Sequence, residues 1–342
     1  MNMGNPNYEI TRREALCTLA SLPAITLGQK QTIRTSHHEE LLRHCTAALE
    51  ACWELYRGSD PVGTQHAFDC VSTYGPLLET MAKDSGQFRK EAIDLAAQYA
   101  LLQTLLGWEH IKPWKLVSYA QKAVDLSKET DNILFQLSAY SKLSWSYLTD
   151  NRPAEAWKTM QEGEQILKRY QRAKNRAPLP SGMIGNFYSG YAVAQVDNGI
   201  EPDLALGIAI DSEPLDRHIA FVEYTTSSQW LEAARVCSAK GDFKQAMIWI
   251  GKRIDLETLA PRVSQSKRGQ IHAINILTTS LLQSRERDMG KIIATWKAGM
   301  EGAHALRHEG RYQDAMTNFA VMRALYPSED AIRRLLPLTS HW

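Results

Sequence analysis

The stretch that most limits what this chain can become is Tyr140–Gly163, YSKLSWSYLTDNRPAEAWKTMQEG. It reads as two antiparallel helices joined by Thr149-Asp150-Asn151-Arg152-Pro153. Tyr140, Leu143, Ser144 and Tyr147 recur at helical spacing along one stripe of the first segment. Pro153 opens the second, where a missing amide hydrogen is tolerated, and Ala156, Met160 and Gly163 follow. Small residues at Ser144 and Ala156 let the two backbones approach, while Tyr147 and Met160 fill the space beside them. Such a hairpin buries only one face and needs neighbours to cover the other.

The pattern returns along the chain. Ala156, Ala246 and Ala315 each stand nine residues after Tyr147, Cys237 and Leu306, and four before Met160, Ile250 and Phe319. Helices are expected at about 38–56, 64–83, 88–108, 113–128, 183–196, 201–210, 224–240, 243–259, 263–283, 289–307 and 313–326, besides the organising pair. Breakers separate them: Gly58-Ser59-Asp60-Pro61, Ala177-Pro178-Leu179-Pro180-Ser181-Gly182, Asn198-Gly199 and Lys240-Gly241-Asp242. Glu309-Gly310-Arg311-Tyr312 is expected to be a turn. No run of alternating β-branched residues is long enough for a sheet.

This spacing resembles the tetratricopeptide repeat, most closely at Tyr140–Gly163, Trp230–Ile250 and Gly310–Pro327, where Gly-Arg-Tyr-Gln-Asp-Ala…Phe…Tyr-Pro stands close to a closing helix. The departures are that several repeats exceed the usual length of about 34 residues and that the Leu-Gly pair appears as Leu143-Ser144 or Ala233-Ala234. The fold class expected is therefore all-α, an irregular solenoid of about six to seven helical hairpins forming a right-handed superhelix. It would occupy residues 37–342, with a sub-boundary available near 172–182, after a flexible segment or linker at 1–36. The arrangement is also similar to the repeat half of bacterial helix-turn-helix regulators. That resemblance implies a ligand-sensing effector module without its own DNA-binding domain.

Composition narrows the partners. A net charge of +1 offers no global attraction to nucleic acid or anionic membrane, so direct nucleic-acid binding is not expected. No stretch approaches the roughly 18 consecutive apolar residues of a membrane span. The five cysteines, Cys17, Cys45, Cys52, Cys70 and Cys237, form no CxxC pair. They read as small core residues in a reducing, cytoplasmic compartment. Arg12-Arg13 before the apolar run 16–27 resembles a twin-arginine export signal. Flanking Glu9 and Glu14, the interrupting Pro23 and the lack of a small-residue cleavage site argue against it.

In stacked hairpins the first helices line the concave face, the usual binding surface. Inward positions are expected at Lys142, Trp145, Tyr191, Asp197, Asn198, Arg235, Lys297 and His304, a mixture of aromatic, amide and charged groups suited to an extended peptide. A protein or peptide ligand, bound by a monomer or homodimer without a cofactor, is the partner this implies. Catalysis has little support. His304 and His308 stand four apart and could share one metal, but two ligands make no site, and His38-Glu39-Glu40-Leu41-Leu42 lacks the second histidine of HExxH. Ser264-Gln265-Ser266-Lys267 has SxxK spacing without its partner motifs. GxGxxG, GxxxxGK[ST] and GxSxG are all missing, and Gly182, Gly185 and Gly190 fall within a helix. An enzyme on a helical toroid is the least supported class; a closed cavity holding an acidic pair would favour it. The basic stretch 168–176 reads as a solvated helix end, and Trp53, Trp108, Trp114, Trp157, Trp249 and Trp296 as core.

Overall fold

The computed structural model describes residues 35–58, 60–84, 86–215, 224–285 and 287–341; the Arg12-Arg13 stretch and most of segment 1–36 lie outside it. Among the described residues the chain is all helical, with one isolated bridge between Ile254 and Pro261 and no strand. The helices run α1 (Thr35–Gly58), α2 (Pro61–Lys83), α3 (Arg89–His110), α4 (Pro113–Lys128), α5 (Ile133–Thr149), α6 (Pro153–Arg172), α7 (Ser181–Val196) and α8 (Asp203–Asp211). Then come α9 (Thr226–Ala239), α10 (Phe243–Arg253), α11 (Lys267–Gln283), α12 (Met289–Leu306), α13 (Glu309–Leu325), the single turn α14 (Asp330–Arg333) and a 3-10 turn (Leu336–Thr339).

The expected seams are where the pairs meet. Ser144, Ala156, Met160 and Gly163 are buried between α5 and α6, and Ala246, Ile250, Ala315 and Phe319 are buried at the corresponding places. The tight turns inside these pairs share one hydrogen-bond scheme. The amides of Arg152, Ile200 and Asp242 reach back five residues to the carbonyls of Tyr147, Gln195 and Cys237, at 2.8, 2.9 and 2.9 Å. The residue before each amide is left-handed: Asn151 at φ 57°, Gly199 at 69° and Gly241 at 82°. That conformation is open to glycine and, more than to most residues, to asparagine, so one stop signal ends α5, α7 and α9 alike. A cap contributes about 1 kcal/mol, whereas each of Met160, Ile250 and Phe319 contributes roughly 1.5–3 kcal/mol by burial. Packing rather than turn chemistry holds the pairs.

Each helix packs on the next, and the odd-numbered helices also pack on one another in order, α1 on α3, α3 on α5, α5 on α7, α7 on α9, α9 on α11 and α11 on α13. α13 then returns to α3, so α3, α5, α7, α9, α11 and α13 form a closed circuit. The closing contact is tight. A Cβ at Gly310 would lie 2.9 Å from both Cδ1 and Nε1 of Trp108, so only a residue without a side chain fits there. Beside it Arg268 pairs with Glu109, 159 residues away in sequence. Three apolar clusters support the circuit, one under α1–α5, one around Met160, Phe187 and Tyr191, and one around Trp296, Phe319 and Ile250.

Several expected boundaries move. α10 stops at Arg253 instead of 259, because the chain turns into the Ile254–Pro261 bridge around Asp255, whose carboxylate accepts from the amides of Glu257 and Thr258. α11 starts at Lys267, capped by Ser266 accepting from the amide of Gly269, so the SxxK spacing is a helix cap. Glu309–Tyr312 is not a turn but the first turn of α13, with His308 as its cap. Arg307 is left-handed at φ 47° and ends α12 at Leu306, which puts His304 and His308 on separate helices. The shared metal position that their spacing suggested is thereby removed. Trp114 is 61% exposed, contrary to the core reading, whereas Trp53 and Trp296 are buried.

Candidate functional site: a charged cluster inside the helix circuit

Globular interiors are normally apolar; here the first helices turn charged and aromatic groups toward one another. Glu232 and Arg235 are one helical turn apart on α9, a spacing that aims both the same way. The Arg235 guanidinium lies on the ring of Trp145 from α5, its central carbon 3.7 Å from the ring centroid. Trp145 in turn meets Trp108 of α3, with ring centroids 5.2 Å apart at 59°. Gly190 on α7, whose Cβ would stand 4.0 Å from Trp145 Nε1, leaves room for that indole. On the other flank Arg311 of α13 lies 5.9 Å from the Trp108 centroid, and Arg268 of α11 is stacked 3.8 Å over Tyr56 of α1.

Charge is unevenly compensated in this cluster. Arg235 Nη2 is 3.9 Å from Asp197 Oδ2 and Arg311 Nη1 is 2.6 Å from Asp314 Oδ2. Arg253, the last residue of α10, is 3% exposed and donates from Nε (2.9 Å) and Nη2 to a neutral acceptor, Gln265 Oε1. Glu232 lies within electrostatic reach of Arg235, Lys142, Arg311 and Arg253. Four cations thus share three carboxylates, Glu232, Asp197 and Asp314.

Burial dominates the titration of these groups. It pushes the Glu232 carboxyl up in spite of the four cations, and the Asp197 carboxyl up in spite of Arg235. It lowers Arg235, and it brings Arg253 down to about 10, with Glu232 opposing in both cases. His272 and His308 are held well below the usual imidazole range, first by burial and then by Arg311. Desolvation outweighing neighbouring charge marks a site withdrawn from bulk water.

Of the eight positions expected to face inward, the structure brings Lys142, Trp145, Asp197 and Arg235 together. Tyr191 instead packs with Trp157, Phe187 and Tyr188, and its hydroxyl donates to Glu164 Oε2 at 3.4 Å on the α6 side. Asn198 donates to the carbonyls of Pro153 and Ala194, both at 2.8 Å, and so ties two hairpins together. Lys297 is exposed on α12, and His304 on the same helix meets the ring of Tyr312 at 5.8 Å. Both sit on α12, outside the circuit of first helices, although His304 packs against α13. Glu232, Arg253, His272, Arg311 and Trp108 were missed. The i, i+3 pair Glu232/Arg235 was a usable signal, but nothing local marked the other four.

The basic stretch 168–176 ends α6, with Arg169 and Arg172 in its last turn. Around it lies a surface hollow of about 560 Å³ lined by Lys128, Tyr140, Arg169, Tyr170 and Arg176. Among the described residues no group of three or more His, Cys, Asp or Glu is placed to hold a metal ion, and no helix is long and apolar enough to cross a membrane. No family model matches the chain, and no significant match to a curated protein is found. Function is therefore read from the geometry.

Proposed function

We propose that this protein is a non-catalytic binding scaffold or sensor built as an irregular tetratricopeptide-like α-solenoid, which takes a protein or peptide segment on the inner face of its first helices. The observation that carries this reading is the convergence of Trp108, Lys142, Trp145, Arg235 and Arg311 from four helices of the circuit, with Arg253 from the end of α10. Interior positions that served stability alone would be apolar, since burying imperfectly paired charge costs stability. Guanidinium forks and indole faces supply what an extended segment requires, namely donors for its carbonyls and carboxylates and flat apolar surface for its side chains. Closure of α13 on α3 adds a means of response, because a segment lodged inside changes the fit of the ends that meet there.

Native mass spectrometry of the protein purified from its own host tests this. A peptide or stoichiometric protein partner is expected on the wild type and should be lost from Arg235→Ala combined with Lys142→Ala. A bare chain, or a partner retained by the double variant, would return the effector-module and enzyme readings to the front.

A further inference from the structure

Three guanidinium groups of the inner cluster carry buried donor atoms with no hydrogen-bond partner, Nη1 of Arg235, Nη1 of Arg253 and Nε of Arg311. Buried polar atoms are nearly always paired, and three orphans of one charge type in one place call for an explanation. The groups come from α9, α10 and α13. Arg311 lies within electrostatic reach of both Arg235 and Arg253. Asp197, Asp314 and Glu232 offset part of this charge, but four cations share these three carboxylates and the three donors stay unpaired, which leaves a cost for a further anion to offset.

The surroundings specify the sign and shape of what is missing. Arg253 Nη2 approaches the first turn of α11, where a Cβ on Gly269 would lie 2.9 Å from it. The N-terminus of a helix carries partial positive charge and free amides, a place where anions are favoured and a guanidinium is not. Gln265, the partner of Arg253, brings no negative charge. Arg311 is paired with Asp314 at 2.6 Å and Arg235 lies 3.9 Å from Asp197; Glu232 is the carboxylate within electrostatic reach of all three arginines, and its own Oε2 is buried and unpaired. The side chain of Arg235 keeps 22% of its surface open, which leaves a way in.

We propose that Arg235, Arg253 and Arg311 form a binding site for an oxyanion, the carboxylate or phosphoryl group of a ligand. Its oxygens would accept from the orphaned donors in the planar, bidentate manner that guanidinium groups favour. The proposal deepens the binding-scaffold reading and rests on it for the rest of the ligand, but the anion site can be tested separately.

The full chain is titrated with sodium phosphate, sodium acetate and, as control, sodium chloride at matched ionic strength, by calorimetry and by the melting temperature. Saturable binding of phosphate or acetate is expected, with chloride inert, and whichever of the two binds tells a phosphoryl from a carboxylate ligand. Arg253→Met should weaken binding about tenfold or more, as loss of a charge-assisted hydrogen bond does. Because that variant could fold poorly, the wild type provides a second readout. The guanidinium Nε–H resonance of Arg311 should shift in step with the calorimetric curve. No saturable binding by either anion, or binding with the Arg311 resonance unmoved, overturns the site. If the host-derived partner binds as before in saturating phosphate and acetate, the scaffold reading stands and the anion site falls. If the anions bind through Arg311 and no partner is found, the site stands and the scaffold reading falls.

Discussion

The ion pair of Arg268 and Glu109 ties α11 to α3 beside the contact that closes the helix circuit, and its removal has a calculable effect. Both side chains are nearly enclosed, with 11% and 5% of their surfaces exposed. Arg268→Met therefore leaves a carboxylate buried without its cation, which costs about 3–5 kcal/mol. Losing the stack on Tyr56 adds about 0.5–1 kcal/mol. With roughly 2.1 cal/mol/K per residue of unfolding entropy over 342 residues, about 0.7 kcal/mol/K in all, the melting temperature should fall by about 5–8 °C. Glu109→Gln should cost a similar amount. The double variant, with neither charge left behind, should recover most of the loss and give a coupling energy of about 2 kcal/mol or more. Differential scanning calorimetry of the four proteins measures all of this. Single variants melting within about 1 °C of wild type, or additive losses in the double variant, would show that this contact does not hold the circuit closed.

Other expectations follow from buried groups. Trp296 is fully enclosed, stacked on Phe319 at 5.1 Å, and its Nε1 donates to the Ala315 carbonyl at 2.8 Å. Trp296→Phe should cost about 1–3 kcal/mol in urea unfolding by removing that hydrogen bond and leaving part of the indole's space unfilled, and an unchanged midpoint would contradict the role given to it. Gly185→Ala would place a methyl 2.5 Å from Ser212 Cβ and 2.7 Å from Tyr224 Cε1. Overpacking of this kind should cost about 1–3 kcal/mol, and a variant as stable as wild type would mean that α7 and α8 can part freely. His272 and His308 have folded pKa values well below 6.5 because burial and Arg311 disfavour their charged forms. The unfolded chain then binds more protons, so their contribution is intact above about pH 6.5 and is lost as pH falls below it, by up to about 1.4 kcal/mol per pH unit for each histidine. His272→Asn should flatten the slope of stability against pH below 6.5, and an unaltered slope would rule out His272 as a source.

The helical character and the pairing were legible because they are local. A small residue at Ala156, Ala246 or Ala315 with a bulky one four later describes a seam within one turn of helix. The left-handed stops at Asn151, Gly199 and Gly241 also lie in short turns. Errors came where a boundary depended on something remote or subtle. α10 ends at Arg253 because its guanidinium is held by Gln265 and its carbonyl accepts from the amide of Arg262 beside the Ile254–Pro261 bridge, and Arg307 ends α12 without a glycine to announce it. Lys142, Trp145, Asp197 and Arg235 come together because they lie on, or at the end of, first helices. Lys297 and His304 stand on α12, which is not one of the circuit's helices, so the inward expectation does not bring them to the cluster. Arg253 and Arg311 could not be connected from sequence, since the contact that brings α13 to α3 spans some two hundred residues and leaves no local trace.

That last contact also governs when the inner cluster can assemble. In an open stack, every hairpin can form as soon as its neighbour exists, and any finished portion is already native. Here Trp108 and Glu109 wait for partners that emerge from the ribosome much later, at Gly310 and Arg268. Closing a loop of that length carries an entropic cost that has to be met before the contact returns anything, which makes it a late event of high contact order. Until then the arginines that surround Glu232 belong to separate, unassembled stretches. A nascent or truncated chain can hold most of its helices and still have no inner face, so the proposed binding surface is a property of the completed circuit and of no single hairpin.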